Sequence, residues 1–113
     1  MRVLPNSKPF DFERLEKDLV DLDVPTDFDI IIKDPISSYW GLYHSGKQIL
    51  KSYVAGLSYE DAFPHILHES LHHYQHSHQD GFRRMHGVMH DNVFNDLYES
   101  KMNMWTSLYK DRR

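Results

Sequence analysis

The sequence predicts an α+β domain, and three observations carry that expectation. Apolar residues recur at helical spacing near the N-terminus, β-branched and turn residues crowd the middle, and the second half has helical periodicity. The predicted order is an N-terminal helix, a small three-stranded sheet, a central helix and a C-terminal helix. With 113 residues, the chain is long enough for one domain (1–113) and too short for two.

Pro5 and Pro9 mark an extended lead. From Asp11 to Leu22, apolar Phe12, Leu15, Leu19 and Leu22 fall at three- and four-residue steps, a helical stripe that Pro25 closes. Phe28 to Lys33 is rich in Ile and reads as a strand ended by Asp34-Pro35. Ser38 to Tyr43 and Gln48 to Ala55 read as two more strands. His44-Ser45-Gly46-Lys47 is the turn between them, and Gly56 breaks the last strand. Ser58 or Asp61 can cap the central helix, in which Pro64 is tolerable only near the first turn. That helix is expected to run to about Gln79, where Asp80-Gly81 stops it. Phe82 to Met89 is expected to be irregular. A last helix, about Asp91 to Tyr109, presents Phe94, Leu97, Tyr98, Trp105 and Leu108 on one face. Trp40 and Trp105 both read as core aromatics.

Composition narrows the chemistry. A hydrophobic fraction of 40% with 13% aromatics suits a globular protein. No apolar run is long enough to cross a bilayer, and Arg2 to Phe10 lacks the apolar core of a signal peptide, so a cytoplasmic protein is expected. The absence of cysteine excludes disulfides, thiol catalysis and Cys-based zinc fingers, leaving His, Asp and Glu as metal ligands. A net charge of −4 gives no general attraction to nucleic acid; the Arg83-Arg84 pair and the basic C-terminus read as solvated charge. Histidine is the outlier, with nine in the chain and six of them between His65 and His78.

Those histidines are ordered. On a helical wheel at about 100° per residue, His68, Glu69, His72 and His76 lie within roughly 60° of His65. Phe63, Leu67, Leu71 and Tyr74 lie on the far side. One face is therefore core-like and the other is imidazole with a single carboxylate. Two histidines at i and i+4 stand about 6 Å apart along the axis, so both rings can reach one ion. Glu69 projects beside such an ion, where it can take a proton from water and pass it to a leaving amine. This is the content of the HExxH signature, here His68-Glu69-Ser70-Leu71-His72. Chance alone supplies about 0.03 such matches per shuffled sequence of this composition.

A catalytic zinc site needs a third protein ligand. His76 stands about 12 Å from His68 along the helix and cannot share its ion. His78 has the metzincin separation from His72, but Gln75 occupies the midway position where that turn needs Gly. Glu99 projects about 140° from Phe94 and so away from the apolar face. His86 falls in a stretch the pattern does not place. His90 is preferred: it opens the last helix, and packing Phe94 against the central helix brings His90 toward His68 and His72. His65, His73 and His76 are expected to face solvent or the cleft. Tyr98, Tyr109, His86 and His44 are candidates to steady an oxyanion, with packing or surface roles as the plainer account, and Met85 and Met89 are expected to pack ordinarily.

His68-Glu69-Ser70-Leu71-His72, then Tyr74-Gln75, then His90-Asp91-Asn92-Val93-Phe94 resembles the HExxH plus HGxxF/W arrangement of SprT-like zinc metallopeptidases, with Asp91 where the family has Gly. The likeness spans about Phe28 to Leu108. It implies Zn2+ on His68, His72 and His90, Glu69 as general base, and a protein or peptide substrate lying extended beside an exposed strand, either Ser38 to Tyr43 or Gln48 to Ala55. It also implies a bare catalytic core without the zinc ribbon of many relatives. DNA-associated substrates are part of that implication, though the acidic balance lends them little support. The alternative is an inactive zinc-binding adaptor or inhibitor, which has no need of Glu69. A small-amide zinc hydrolase would need a closed pocket, and a DNA-binding module would show salt-dependent association. The oligomeric state is left open by the sequence.

Overall fold

In the computed structural model, which describes residues 1–78 and 90–111, the chain forms three helices and a four-stranded mixed sheet. The α+β class is as expected. In chain order the elements are β1 (Arg2–Val3), α1 (Phe12–Asp21), β2 (Asp29–Ile32), β3 (Gly41–His44), β4 (Ile49–Ser52), α2 (Tyr59–Ser77) and α3 (Asn92–Asp111).

The sheet has one strand more than the sequence pattern predicts. β1 is only two residues long, too short to show alternation, and it lies in the segment expected to be a mere lead. Pairing makes it a strand: it runs parallel to β2, with Arg2 bonded to Asp29 through both its Nε and Nη2. The strand order is β1-β2-β4-β3. β4 therefore sits inside, parallel to β2 with Ile30 opposite Leu50, and the β3–β4 hairpin places β3 on the outer edge. In the hairpin turn the left-handed residue is Gln48 (φ 53°), so Gly46 is not the position the turn geometry requires. Gly56, with φ 85°, does mark a turn that glycine suits, between β4 and α2.

Each helix forms where its capping chemistry allows. The Asp11 carboxylate accepts from the Arg14 N–H at the start of α1, and the Ser58 hydroxyl accepts from the Asp61 N–H at the start of α2. Ser58 is thus the cap, and Pro64 lies in the second turn, later than expected. Its ring supplies no N–H to the helix ladder there, and it faces the cleft. The core joins Leu15, Leu19 and Leu22 of α1, Ile30, Ile32 and Leu50 of the sheet, Phe63, Ile66, Leu67 and Leu71 of α2, and Phe94 and Trp105 of α3. Trp105 stacks on Phe63 at 4.5 Å, as a core aromatic should. Trp40 departs from expectation: it is 45% exposed, stacked on His65 rather than packed inside.

A buried carboxylate ties the helices together. Asp18 of α1, fully buried, accepts hydrogen bonds from the Tyr59 hydroxyl of α2 at 2.7 Å and the Trp105 indole of α3 at 3.1 Å. Among the described residues, no helix is long and apolar enough to cross a membrane.

Candidate metal centre

α2 crosses the sheet beside β3 and β4, and the face it turns toward β3 carries His68, Glu69 and His72. α3 packs against α2 through Phe94, which is 1% exposed, and its start delivers His90. The three imidazoles converge through the same atom: Nε2 of His68 lies 3.2 Å from that of His72 and 3.0 Å from that of His90, and the last two are 2.9 Å apart. Phe94 forms the floor, stacked on the His72 ring at 4.5 Å and edge-on to His68 and His90.

The donor set fits a divalent cation. Three mutually close nitrogens cannot be satisfied by one another's protons while the rings stay neutral, because at least one pair must face lone pair to lone pair or proton to proton. Burial holds His68 and His72 down at about 4, so both are neutral at physiological pH, the state in which imidazole ligates. The tautomer of His72 is also set. Its Nδ1–H donates to Oε1 of buried Gln75 at 3.2 Å, which leaves the Nε2 lone pair free. Two nitrogens bound to one tetrahedral zinc stand about 3.3 Å apart, within a few tenths of an ångström of the separations here. Among the described residues, His68, His72 and His90 thus make a group able to hold a metal ion.

His90 reaches this position by unusual backbone geometry. Its φ is 57°, in the left-handed region, so the chain turns sharply before α3 begins. Asp91 then caps the helix, its Oδ1 accepting from the Phe94 N–H at 2.8 Å. Asp at this position has a local job.

Glu69 lies beneath the edge strand, 9% exposed, and burial pushes its carboxyl up to about 7. Gly41 of β3 makes room for it. A Cβ at Gly41 would stand 2.7 Å from Glu69 Cγ and 3.2 Å from the Lys51 carbonyl oxygen, so no larger residue fits without displacement. The cleft in which these groups meet is about 620 Å3 and open along β3, with Trp40 and Leu42 on the strand side and Tyr98 on the α3 side.

The other candidates are elsewhere. Glu99 is exposed on α3, as its projection predicts. His78 is turned away from the triad and meets Asp27. His86, Met85 and Met89 lie outside the described residues. Tyr98 lines the cleft, its hydroxyl 3.4 Å from the Pro64 carbonyl, whereas Tyr109 stacks on Trp105 and His44 is exposed. His65 and His76 line the cleft. His73 is fully buried, against the expectation of exposure, because a pocket of polar partners receives it: Nδ1 is 2.7 Å from the Tyr43 hydroxyl and Nε2 is 2.7 Å from Asp27 Oδ1. Gly41 and Tyr43 went unread in the sequence because their partners lie on other elements, whereas Gln75 sits three residues after His72 on the same helix, a spacing that could have signalled the pair. Comparison with protein-family models, curated proteins and solved structures returned no match.

Proposed function

We propose that the chain is a zinc-dependent metallopeptidase of the SprT-like kind, with His68, His72 and His90 as the zinc ligands and Glu69 as the general base. The observation that carries this reading is the meeting of three Nε2 atoms within 3.2 Å beside a buried carboxylate, in a cleft bordered by an edge strand.

Zinc, when bound, polarises the scissile carbonyl and makes a water acidic enough to attack near neutral pH. The protein's residues do the rest. Glu69, poised near neutrality by burial, takes a proton from the attacking water. It then delivers that proton to the amide nitrogen as the C–N bond breaks, so the amine leaves neutral. A peptide is received in extended form along β3, whose outer edge has no neighbouring strand among the described residues, and main-chain hydrogen bonds hold it in register. This favours the predicted strand Ser38 to Tyr43 over Gln48 to Ala55, because β4 is internal. Trp40, exposed at the cleft and stacked on His65, offers an aromatic wall for a substrate side chain. Proteins bound to DNA are one possible class of substrate under this reading, and the cleft chemistry itself requires only a peptide.

Metal analysis paired with a casein-type cleavage assay tests the reading. Glu69→Gln is expected to keep its zinc and to lose cleavage by about 10²–10⁴-fold, the usual worth of a general base. His90→Ala should lose a tightly held ion together with the activity. Zinc uptake in wild type without cleavage of any protein would make the chain a zinc-binding adaptor or inhibitor. Unchanged cleavage by Glu69→Gln would refute the mechanism.

A further inference from the structure

We propose that Asp27, His73 and His78 form a second site for a divalent transition ion of the zinc class, independent of the first. Both imidazoles aim the same atom, Nε2, at one oxygen: each stands 2.7 Å from Asp27 Oδ1. The three ligand atoms lie within 4.8 Å of one another. His73 follows His72 directly, and successive residues of a helix point about 100° apart, so the two sites occupy different sides of α2.

Three features distinguish this cluster from casual surface contacts. First, His73 is fully buried and its ring is fixed edge-on between Phe28 at 5.2 Å and Tyr43 at 5.3 Å. Second, its remote nitrogen has an oxygen partner of the kind that orients ligating histidines: Nδ1 meets the Tyr43 hydroxyl, which in turn meets Ser77 Oγ at 2.7 Å. In the tautomer with Nδ1–H donating to Tyr43 and Tyr43 donating to Ser77, the Nε2 lone pair of His73 faces Asp27. In that tautomer a cation held by both atoms relieves the contact of lone pair and carboxylate. Third, His78 leaves the helix with extended backbone (φ −121°, ψ 123°), which turns its ring back toward Asp27.

The site is open enough to load. The Asp27 side chain is 63% exposed and that of His78 32%, so an ion can enter from solvent and keep water as its remaining ligand. Two imidazoles with one carboxylate suit zinc, cobalt or nickel and not magnesium or calcium, which prefer oxygen ligands. Loaded, it would clamp the approach to β2 onto the C-terminal end of α2. Through His73 and Tyr43 it would also brace β3, the strand that borders the first site. Hydrogen bonds alone, with each Nε2–H donating to Asp27, are the competing account, and ion counting separates the two.

Zn2+ titration of the full metal-free chain, followed by native mass spectrometry and calorimetry, provides that count. Wild type is expected to take up two ions tightly, His90→Ala one, His78→Ala one and the double variant none. Even outer-shell losses cost metal sites 10–100-fold, so removing a ligand should weaken the second site by about 100-fold or more. Asp27→Asn, exposed and nearly isosteric, gives the same reading should His78→Ala fold poorly. Excess Mg2+ should displace neither ion. A single ion in wild type, lost in His90→Ala and kept in His78→Ala and Asp27→Asn, overturns this proposal and leaves the first site standing. A single ion lost in His78→Ala and kept in His90→Ala supports this site and refutes the zinc assignment at the other.

Discussion

Gly41 shows how little space surrounds the proposed base. Adding one methyl there forces Glu69 or the strand to move, since the contact would be 2.7 Å to Cγ and the Lys51 carbonyl closes the other side. A shift of about 1 Å at a reacting group can cost roughly 10²-fold in rate. Gly41→Ala is therefore expected to lower kcat by about 10- to 100-fold while zinc content stays at the wild-type value. Steady-state kinetics beside metal analysis checks this; unchanged kcat would show that the strand yields freely. At this scale the sequence was partly legible. His68, Glu69 and His72 could be read because their relation is one helical turn, fixed by backbone geometry alone. His90 was reachable by one further inference, that Phe94 had to be buried. Gly41 and His73 have no such local rule, because each acts through a contact across elements; Gln75, three residues after His72, did lie at helical spacing.

At the scale of elements, the start of α3 decides whether the third imidazole arrives. The His90 backbone is left-handed, and the next residue stops the turn by capping the helix through the Phe94 N–H. Loss of such a cap costs about 1 kcal/mol. Asp91→Ala is expected to destabilise the chain by about that amount and to weaken Zn2+ binding, whereas Asp91→Asn, itself a good cap, should restore most of both. Denaturant melts and Zn2+ titration measure the two effects, and equal binding by wild type and Asp91→Ala would detach the cap from the site. The sheet was harder to read than the helices. Periodicity gives strands but not their order, so the interior place of β4 and the edge place of β3 emerge only from pairing. β1 is too short to have any period, and it exists because β2 offers it a partner.

Across the whole molecule, Asp18 joins all three helices by accepting from Tyr59 and Trp105. Burial first, and then the neighbouring Asp18, push the Tyr59 phenol well above its ordinary value of 10.0. The sign follows from linkage. An unfolded tyrosine begins to ionise at about pH 10 while the folded one holds its proton, so folding stability is intact below that pH and falls above it. Wild type should therefore lose thermal stability more steeply above about pH 10 than Tyr59→Phe, a difference that Tm against pH resolves. Parallel slopes would remove Tyr59 from the account. No sequence rule signalled this network, since Asp18 reads as an ordinary polar position on an amphipathic helix.

His72 and His90, 18 positions apart along the chain, meet at 2.9 Å. An ion gripping both would act as a reversible cross-link, fastening the two chain segments on either side of residues 79–89 in the way a covalent bridge does. Any ligand confined to the native state stabilises it, by about 4 kcal/mol when free ion exceeds its dissociation constant a thousandfold. A chelator should accordingly lower the Tm of wild type by more than that of His90→Ala in differential scanning calorimetry, and the melt would report how firmly the C-terminal helix is tethered.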